Sequence, residues 1–255
     1  MGTRMKGKVA LISGGAGGCG LAASELFAQE GAAVGIVDLP SSDGEATASR
    51  LRSQGFKAAF APADVSDEAQ VAAAVDAVSS ALGQVTVLFN HAGTIVIRPF
   101  LETSLEDWDR LMAINVRSMF LVTRAVIPQM IEAGGGSIVC TSSISAVVAT
   151  TMEVLYNTTK GACHMFARSI AVEFRDRNIR CNAVCPGFIK TPHGQREVQE
   201  LSRYGIDVSD AAIAAQQGRM CLPDEVAKAA LYLASDDASF VSGTHLFVDN
   251  CFTAV

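Results

Sequence analysis

The chain has 255 residues, a formal net charge of −6, 49% hydrophobic residues and 18% charged ones. That balance supplies enough apolar surface for a substantial core and excludes a disordered chain, and an acidic chain without a basic run argues against nucleic acid as partner. Seven scattered cysteines without a Cys-x-x-Cys pair, and four histidines without metal-ligand spacing, predict buried thiols in a reducing cytoplasm and no metal site. No window approaches the apolar length of a membrane span, and residues 1–8 lack a signal-peptide core, so a cytoplasmic protein with no membrane partner is expected.

Residues 8–13 (Lys-Val-Ala-Leu-Ile-Ser) read as a short buried strand. Gly14-Gly15-Ala16-Gly17-Gly18-Cys19-Gly20 follows, then a helical pattern through Leu21, Leu26 and Phe27 that stops at Gly31. Strand, glycine-rich turn and helix make a phosphate cradle, because glycines let the backbone approach a pyrophosphate and a helix N-terminus presents free N–H groups. A second strand over 33–37 ends at Asp38, about twenty residues beyond the loop, where a carboxylate accepts hydrogen bonds from an adenosine ribose and repels a 2′-phosphate. No Arg or Lys stands in the loop or directly after Asp38, so NAD is favoured over NADP. A surface helix over 41–52, a third strand over 58–61 before Asp64-Val65, an alanine-rich helix over 67–82 and a fourth strand over 84–89 before Asn90-His91-Ala92-Gly93 complete the first half. Alternating strands and helices imply a parallel sheet covered on both faces, with its ligand crevice beyond the carboxyl ends of the strands. Asp38, Asp64 and Asn90 all fall there.

Residues 105–131 read as one long helix with Asn115, a poor interior helix residue, in its middle. Gly134-Gly135-Gly136 breaks the chain before a fifth strand over 137–141, which ends in Ser142-Ser143. Tyr156 and Lys160 stand four apart at the start of a helical pattern carried by Ala162, Met165, Phe166, Ile170 and Phe174. On a helix the two share a face. A phenol with a pKa of about 10 is a poor base, and a neighbouring ammonium favours its ionised form. Such a pair takes a proton from an alcohol or returns one to a ketone. A sixth strand over 179–184 leads to Pro186-Gly187, a helix covers 227–233, and a seventh strand covers 244–248. With no repeat and no linker, one domain is the economical answer.

Taken together, these residues resemble the short-chain dehydrogenase/reductase family over nearly the whole chain. Ser13-Gly14-x-x-x-Gly18-Cys19-Gly20 is similar to the family's cofactor loop, Asn90-His91-Ala92-Gly93 to its Asn-Asn-Ala-Gly motif, and Pro186-Gly187 with Thr191 to the segment that holds the nicotinamide. Asn115, Ser143, Tyr156 and Lys160 stand where its catalytic tetrad falls. The resemblance implies an α/β, Rossmann-type, doubly wound parallel sheet of seven strands in a single domain. It implies NAD contacts from Gly14, Gly17, Gly18, Cys19, Gly20, Asp38, Leu39, Asp64, Val65, Asn90, Ala92, Gly93, Tyr156, Lys160, Pro186, Gly187, Ile189 and Thr191. It further implies that Tyr156 is the general acid/base, that Lys160 lowers its pKa and holds the nicotinamide ribose, that Ser143 fixes the substrate oxygen, and that Asn115 supports a relay water.

Departures from the family pattern are Ser13, Cys19, His91 and Asn250-Cys251, none of them in the tetrad. Cys19 is expected to act through its backbone and to expose the cofactor site to thiol reagents. The implied activity is the NAD-dependent interconversion of a small or cyclic secondary alcohol and a ketone. Reduction of acyl thioesters on a carrier protein and a non-catalytic NAD-binding regulator are the alternatives. Ser145, Thr94, Val96, Met152, Val154 and Phe188 are candidates for the substrate wall, and residues 188–220, with Arg196, Arg203 and Tyr204, resemble the family's lid. A homotetramer or homodimer is expected through the segments 105–131, 157–175 and 244–248, with the apolar end Phe252-Thr253-Ala254-Val255 buried between subunits.

Overall fold

Seven apolar runs form the strands β1 (Val9–Ser13), β2 (Ala33–Asp38), β3 (Ala58–Pro62), β4 (Val87–Asn90), β5 (Gly136–Thr141), β6 (Ile179–Pro186) and β7 (His245–Val248) in this computed structural model, which describes residues 2–254. Met1 and Val255, which end two of the stretches read above, lie outside the described residues. The strands make one parallel sheet in the order β3-β2-β1-β4-β5-β6-β7. Both faces are covered. The helices α1 (Gly18–Gln29), α2 (Gly44–Ser53) and α9 (Pro223–Ala234) pack on one side through Phe27, Leu51 and Leu231. The helices α3 (Glu68–Leu82), α5 (Ser118–Glu132) and α6 (Val154–Glu173) cover the other through Val78, Val126 and Ala167. Burial from both sides explains why the strands are apolar throughout rather than alternating. Phe27 and Phe89 are fully buried with ring centroids 6.4 Å apart, and truncating either to Ala would cost about 3–5 kcal/mol.

Local chemistry sets several element ends. The Asp67 side chain caps α3 by accepting from the Gln70 amide at 2.9 Å. Gly31, at φ 98°, takes the left-handed turn between α1 and β2. The helix carrying Tyr156 begins at Val154, so Tyr156 lies in its first turn.

Two readings of the chain need correction here. The stretch read as one long helix is α4 (Leu105–Met112), a wider π-helical turn over Ala113–Arg117, and then α5. Asn115 sits in that turn, where a local widening frees groups that a regular helix would bond to itself. The stretch Leu105–Glu132 is also long and apolar enough to cross a membrane, contrary to the reading that none is. Half of its most apolar window is buried inside the fold, where it packs against α3, β4 and β5 as a core helix.

The order of strands reverses between β1 and β4, and at that switch point the helices following the two strands leave on opposite faces, opening a crevice. Above the sheet's carboxyl edge lie α7 (Pro192–Arg203) and α8 (Asp210–Gln217), joined to residues Ile95 and Ile97 by a small apolar cluster around Phe188, Leu201 and Ile213. Phe252 belongs to this cluster, its ring 6.4 Å from that of Phe188. The described part of the apolar end thus packs in part onto its own chain.

Candidate active site

A cleft of about 610 Å³ opens at the carboxyl ends of the strands. Its first wall is largely backbone. Gly14 (φ 69°) lies so close to the turn after β4 that a Cβ there would stand 2.9 Å from the Ala92 Cα. A Cβ on Gly20 would fall 2.0 Å from the Gly14 carbonyl oxygen. Gly17 is the N-cap of α1 and has no side chain to satisfy the first amides of that helix, which leaves them for a ligand. Asp38 stiffens the loop from the next strand: its Oδ2 accepts from the Ala16 amide at 3.0 Å and its Oδ1 from the Leu39 amide at 2.8 Å. Asp64 accepts from the amide and hydroxyl of Ser66 at 2.9 and 2.7 Å. The Ser13 hydroxyl accepts from the amides of His91 and Ala92 at 3.1 and 3.2 Å, so the serine that departs from the family pattern still ties β1 to the turn after β4.

Of the residues expected to contact a nucleotide, Gly14, Gly17, Gly18, Cys19, Asp38, Leu39, Asp64, Val65, Ala92, Gly93, Pro186, Gly187, Ile189 and Thr191 line this cleft. Gly20 and Asn90 are not on its surface. Asn90 ends β4 as expected, but its side chain is turned into the core, its Nδ2 donating to Thr123 Oγ1 at 2.8 Å. His91 is half-buried, lines the cleft and is stacked on Phe89 with centroids 5.2 Å apart, and its Nδ1 lies 3.0 Å from Thr141 Oγ1. Burial, with Lys160 and His193 adding to it, lowers its pKa to about 3, so the ring is neutral. Cys19 is 2% exposed and its thiol is pushed up to about 12, first by burial and then by Cys221 and Asp224. A protonated thiol with so little exposure weighs against the expected sensitivity to thiol reagents. Six of the seven cysteines are buried and Cys251 is exposed.

The opposite wall is made of side chains. Ser143, at the end of β5, and Tyr156 and Lys160, one turn apart on α6, all face the cleft. The Lys160 Nζ is buried, donates to the Thr141 carbonyl oxygen at 2.9 Å and lies 5.3 Å from the centre of the Tyr156 ring. Burial lowers its pKa. The Ser143 hydroxyl accepts from the Ser145 amide at 3.1 Å and donates to the Ser145 hydroxyl at 3.2 Å, which fixes its orientation. Tyr156 departs from expectation. Burial pushes its phenol well above the usual value, Glu197 and Glu153 push it further, and only the Ser143 hydroxyl acts the other way. Burial and the two carboxyls therefore favour the phenol over the phenolate.

Asn115 does not reach the cleft. Its Nδ2 donates to the Thr94 carbonyl oxygen at 2.8 Å and to Thr159 Oγ1 at 3.0 Å, and its Oδ1 accepts from the Thr94 amide at 2.8 Å. The side chain is a fully bonded brace between the turn after β4 and α6. Of the substrate-wall candidates, Thr94, Ser145 and Phe188 line the cleft. Val96 and Met152 pack behind it, and Val154 is 43% exposed on the outer surface. Arg196 crosses to Thr94 Oγ1 at 3.2 Å, while Arg203 and Tyr204 are exposed.

Sequence reasoning missed two carboxyls. Glu153 is 0% exposed, neither of its oxygens has a hydrogen-bond partner, and burial with Glu197 raises it to about 9. Glu197 lines the cleft from α7 and is raised to about 7 by burial, with Arg196 and Lys160 opposing. The available signal was weak: Glu153 stands one helical turn before Tyr156 among apolar neighbours, and Glu197 lies among ordinary helix charges.

Residues 14–253 match the model of a family described as enoyl-(acyl carrier protein) reductase. A cyclopentanol dehydrogenase of Comamonas sp. (strain NCIMB 9872) is 40% identical over 98% of this chain and 99% of its own length. The chain belongs to the short-chain dehydrogenase/reductase family. A D-threitol dehydrogenase of Mycolicibacterium smegmatis (strain ATCC 700084 / mc(2)155) is 38% identical over 98% of this short-chain dehydrogenase/reductase and 94% of its own chain. The crystal structure of levodione reductase superposes with a TM-score of 0.93, 31% identity and full coverage of both chains. Two further structures contain nicotinamide nucleotides. A gluconate 5-dehydrogenase from Burkholderia cenocepacia J2315 with NADP and tartrate has a TM-score of 0.89 and 32% identity over 99% and 98% of the two chains. A 7α-hydroxysteroid dehydrogenase with NADH has a TM-score of 0.89 and 29% identity over 97% and 94%. The glycine wall, the uncapped start of α1 and the Asp38 carboxylate fit such a nucleotide, and this short-chain dehydrogenase/reductase is an oxidoreductase of CH–OH groups with a nicotinamide cofactor.

Proposed function

We propose that the protein uses NAD to interconvert a small or cyclic secondary alcohol and its ketone, with Tyr156 as general acid/base. The observation that carries this is the convergence of Ser143, Tyr156 and Lys160 on one wall of a cleft whose other wall holds the glycine turn and Asp38. A nicotinamide held against the glycine wall would supply the hydride acceptor for alcohol oxidation and the hydride donor for ketone reduction. In the oxidative direction the Tyr156 oxygen takes the hydroxyl proton, and in the reductive direction it gives one back. The Ser143 hydroxyl, held by the Ser145 amide, positions the substrate oxygen by turning its O–H from Ser145 Oγ to that oxygen. Lys160, already held by the Thr141 carbonyl, is placed to reach the nicotinamide ribose and to supply positive charge beside the phenol. Asp38 supports NAD over NADP, since its carboxylate accepts from a ribose diol and repels a phosphate. Relatives named for cyclopentanol and D-threitol support the alcohol class.

Residues 188–220, containing α7 and α8, serve in this reading as the lid over the alcohol. Phe120 on α5 and Met165 and Val172 on α6, exposed by 46%, 59% and 69%, support assembly of a homotetramer or homodimer through those helices. A cytoplasmic location suits a chain whose cysteines are unpaired. The description of the matched family favours a second reading, reduction of carrier-bound acyl thioesters. The net charge of −6 weighs against an acidic carrier protein.

A panel of secondary alcohols and ketones with NAD(H) and NADP(H), followed by nicotinamide absorbance, tests the reading. Turnover of small alcohols with NAD is the expected result. Turnover confined to acyl thioesters would replace it with the second reading, and no turnover at all would leave a nucleotide-binding regulator.

A further inference from the structure

Two carboxyl groups stand beside Tyr156 without a part in the proton transfer. Glu153 is the N-cap residue of α6, three positions before Tyr156 and so on the same side of the helix. It caps nothing: its side chain accepts no hydrogen bond from the α6 amides, it is 0% exposed, and neither oxygen has a partner. A buried polar group without a partner is costly, and its retention needs an explanation. The groups acting on it are Thr150 and Glu197, and both line the cleft. Glu197 reaches the same corner from α7, on the alcohol side. The nearby cations act on Glu197 through space and bond to neutral groups instead, Arg196 to Thr94 Oγ1 and Lys160 to the Thr141 carbonyl.

This corner offers carboxyl oxygens as acceptors. The same cleft also presents the hydroxyl groups of Thr94, Ser145 and Thr150, which suits a hydroxylated ligand. We propose that Glu197, backed by Glu153, is an acceptor subsite for a second hydroxyl of the substrate, so that the enzyme selects diols and polyols over mono-alcohols of the same skeleton. The inference rests on the alcohol dehydrogenase reading above and narrows its substrate class. Burial keeps Glu153 protonated at neutral pH and raises Glu197 to about 7, so the pair's negative charge develops on Glu197 as pH rises through neutrality, with the two titrating as a unit. A carboxylate accepting an O–H in a cleft shielded from water makes a charge-assisted bond. The mono-alcohol leaves that acceptor unsatisfied, and this asymmetry generates selectivity.

The test compares kcat/KM with NAD for two matched pairs: cyclopentane-1,2-diol against cyclopentanol, and butane-2,3-diol against butan-2-ol. Because the ratio within a pair is read, general damage to the enzyme cancels. At least one diol stereoisomer should exceed its mono-alcohol by about tenfold or more, the discrimination lost with one hydrogen bond to a charged group. In Glu197→Leu and Glu197→Ala the ratio should fall toward one, while Glu197→Gln, which keeps an acceptor oxygen, should retain part of it. NADH binding by fluorescence reports whether each variant is folded. A wild-type ratio near one in both pairs, or a ratio that survives in the Leu and Ala variants, overturns the proposal. A preference for 2-aminocyclopentanol over the diol overturns the hydroxyl assignment. Turnover of mono-alcohols with a flat ratio defeats this inference alone, whereas absence of turnover on every alcohol defeats the reading beneath it as well.

Discussion

The two walls of the cleft are built from different material. On the nucleotide side, Gly14, Gly17 and Gly18 present backbone, and Asp38 holds that backbone in place through the amides of Ala16 and Leu39. On the alcohol side, Ser143, Tyr156, Lys160 and Glu197 present side chains carried by β5, α6 and α7. A wall of backbone recognises what every nucleotide has, phosphate and ribose, and its rigidity comes from turns and strand ends. A wall of side chains is tuned by burial and by its neighbours' charges. Tyr156 is pushed up, Lys160 down, Glu153 up to about 9 and Glu197 up to about 7, all with burial as the leading cause. The first wall suits a nucleotide; in the function proposed above, the second carries the proton transfer.

The comparison predicts that damage to the alcohol wall removes turnover and leaves nucleotide binding. Tyr156→Phe keeps the ring and deletes the titrating hydroxyl. A fall in kcat of about 10²–10⁴-fold is expected, with NADH affinity by fluorescence titration changed by less than about threefold. Turnover near wild type would remove Tyr156 from the reaction.

The reverse lesion is smaller. Asp38→Ala strips the ribose acceptor and leaves the Ala16 and Leu39 amides unpaired. Loss of hydrogen bonds to a charged group predicts a fall in kcat/KM for NAD of about 10–100-fold, with a narrower gap to NADP. Parallel kinetics with both nucleotides check it; a wild-type preference for NADPH would reverse the reading of Asp38.

This division also explains what was legible in the sequence. The nucleotide wall is local: a glycine cluster between an apolar run and a helical pattern, and an acid at the end of the next strand, can be read from short windows. Tyr156 and Lys160 were legible because one helical turn joins them. Glu153 and Glu197 were not, because α6 and α7 meet only in the folded chain, and a lone Glu in a helix usually faces water. The bracing role of Asn115 was hidden for the same reason, since its partners Thr94 and Thr159 come from other segments. Asn90 stands at the expected strand end, but a strand end does not say whether its side chain turns to the crevice or, as here, to Thr123.

A third effect is on stability. The Glu153 pKa is raised in the folded protein, so the folded state holds a proton that the unfolded chain loses above the ordinary carboxyl pKa of 4.5. Its contribution is intact below that value and is lost as pH rises toward about 9, the titration being shared with Glu197. The wild-type Tm should therefore fall between pH 5 and 9. Glu153→Gln, which cannot ionise, should flatten that fall by a few degrees, at about 2–4 °C per kcal/mol for a chain this long. Parallel pH profiles of wild type and variant would exclude a buried, protonated Glu153.

The smallest effect separates the walls by reactivity. If the nucleotide wall acts through backbone, its one thiol should be chemically silent. Cys19 is 2% exposed and its thiol is raised to about 12, so almost no thiolate forms at neutral pH. Cys251, in the turn after β7, is exposed. Limited iodoacetamide at pH 7 should label Cys251 first and leave Cys19 unmodified, with NADH binding retained after one label per chain. Peptide mass spectrometry after timed quenching reads the order. Early labelling of Cys19, with loss of NADH binding, would mean that the loop opens often enough to expose its side chain. The contrast between a rigid backbone wall and a tuned side-chain wall would then fail on the nucleotide side.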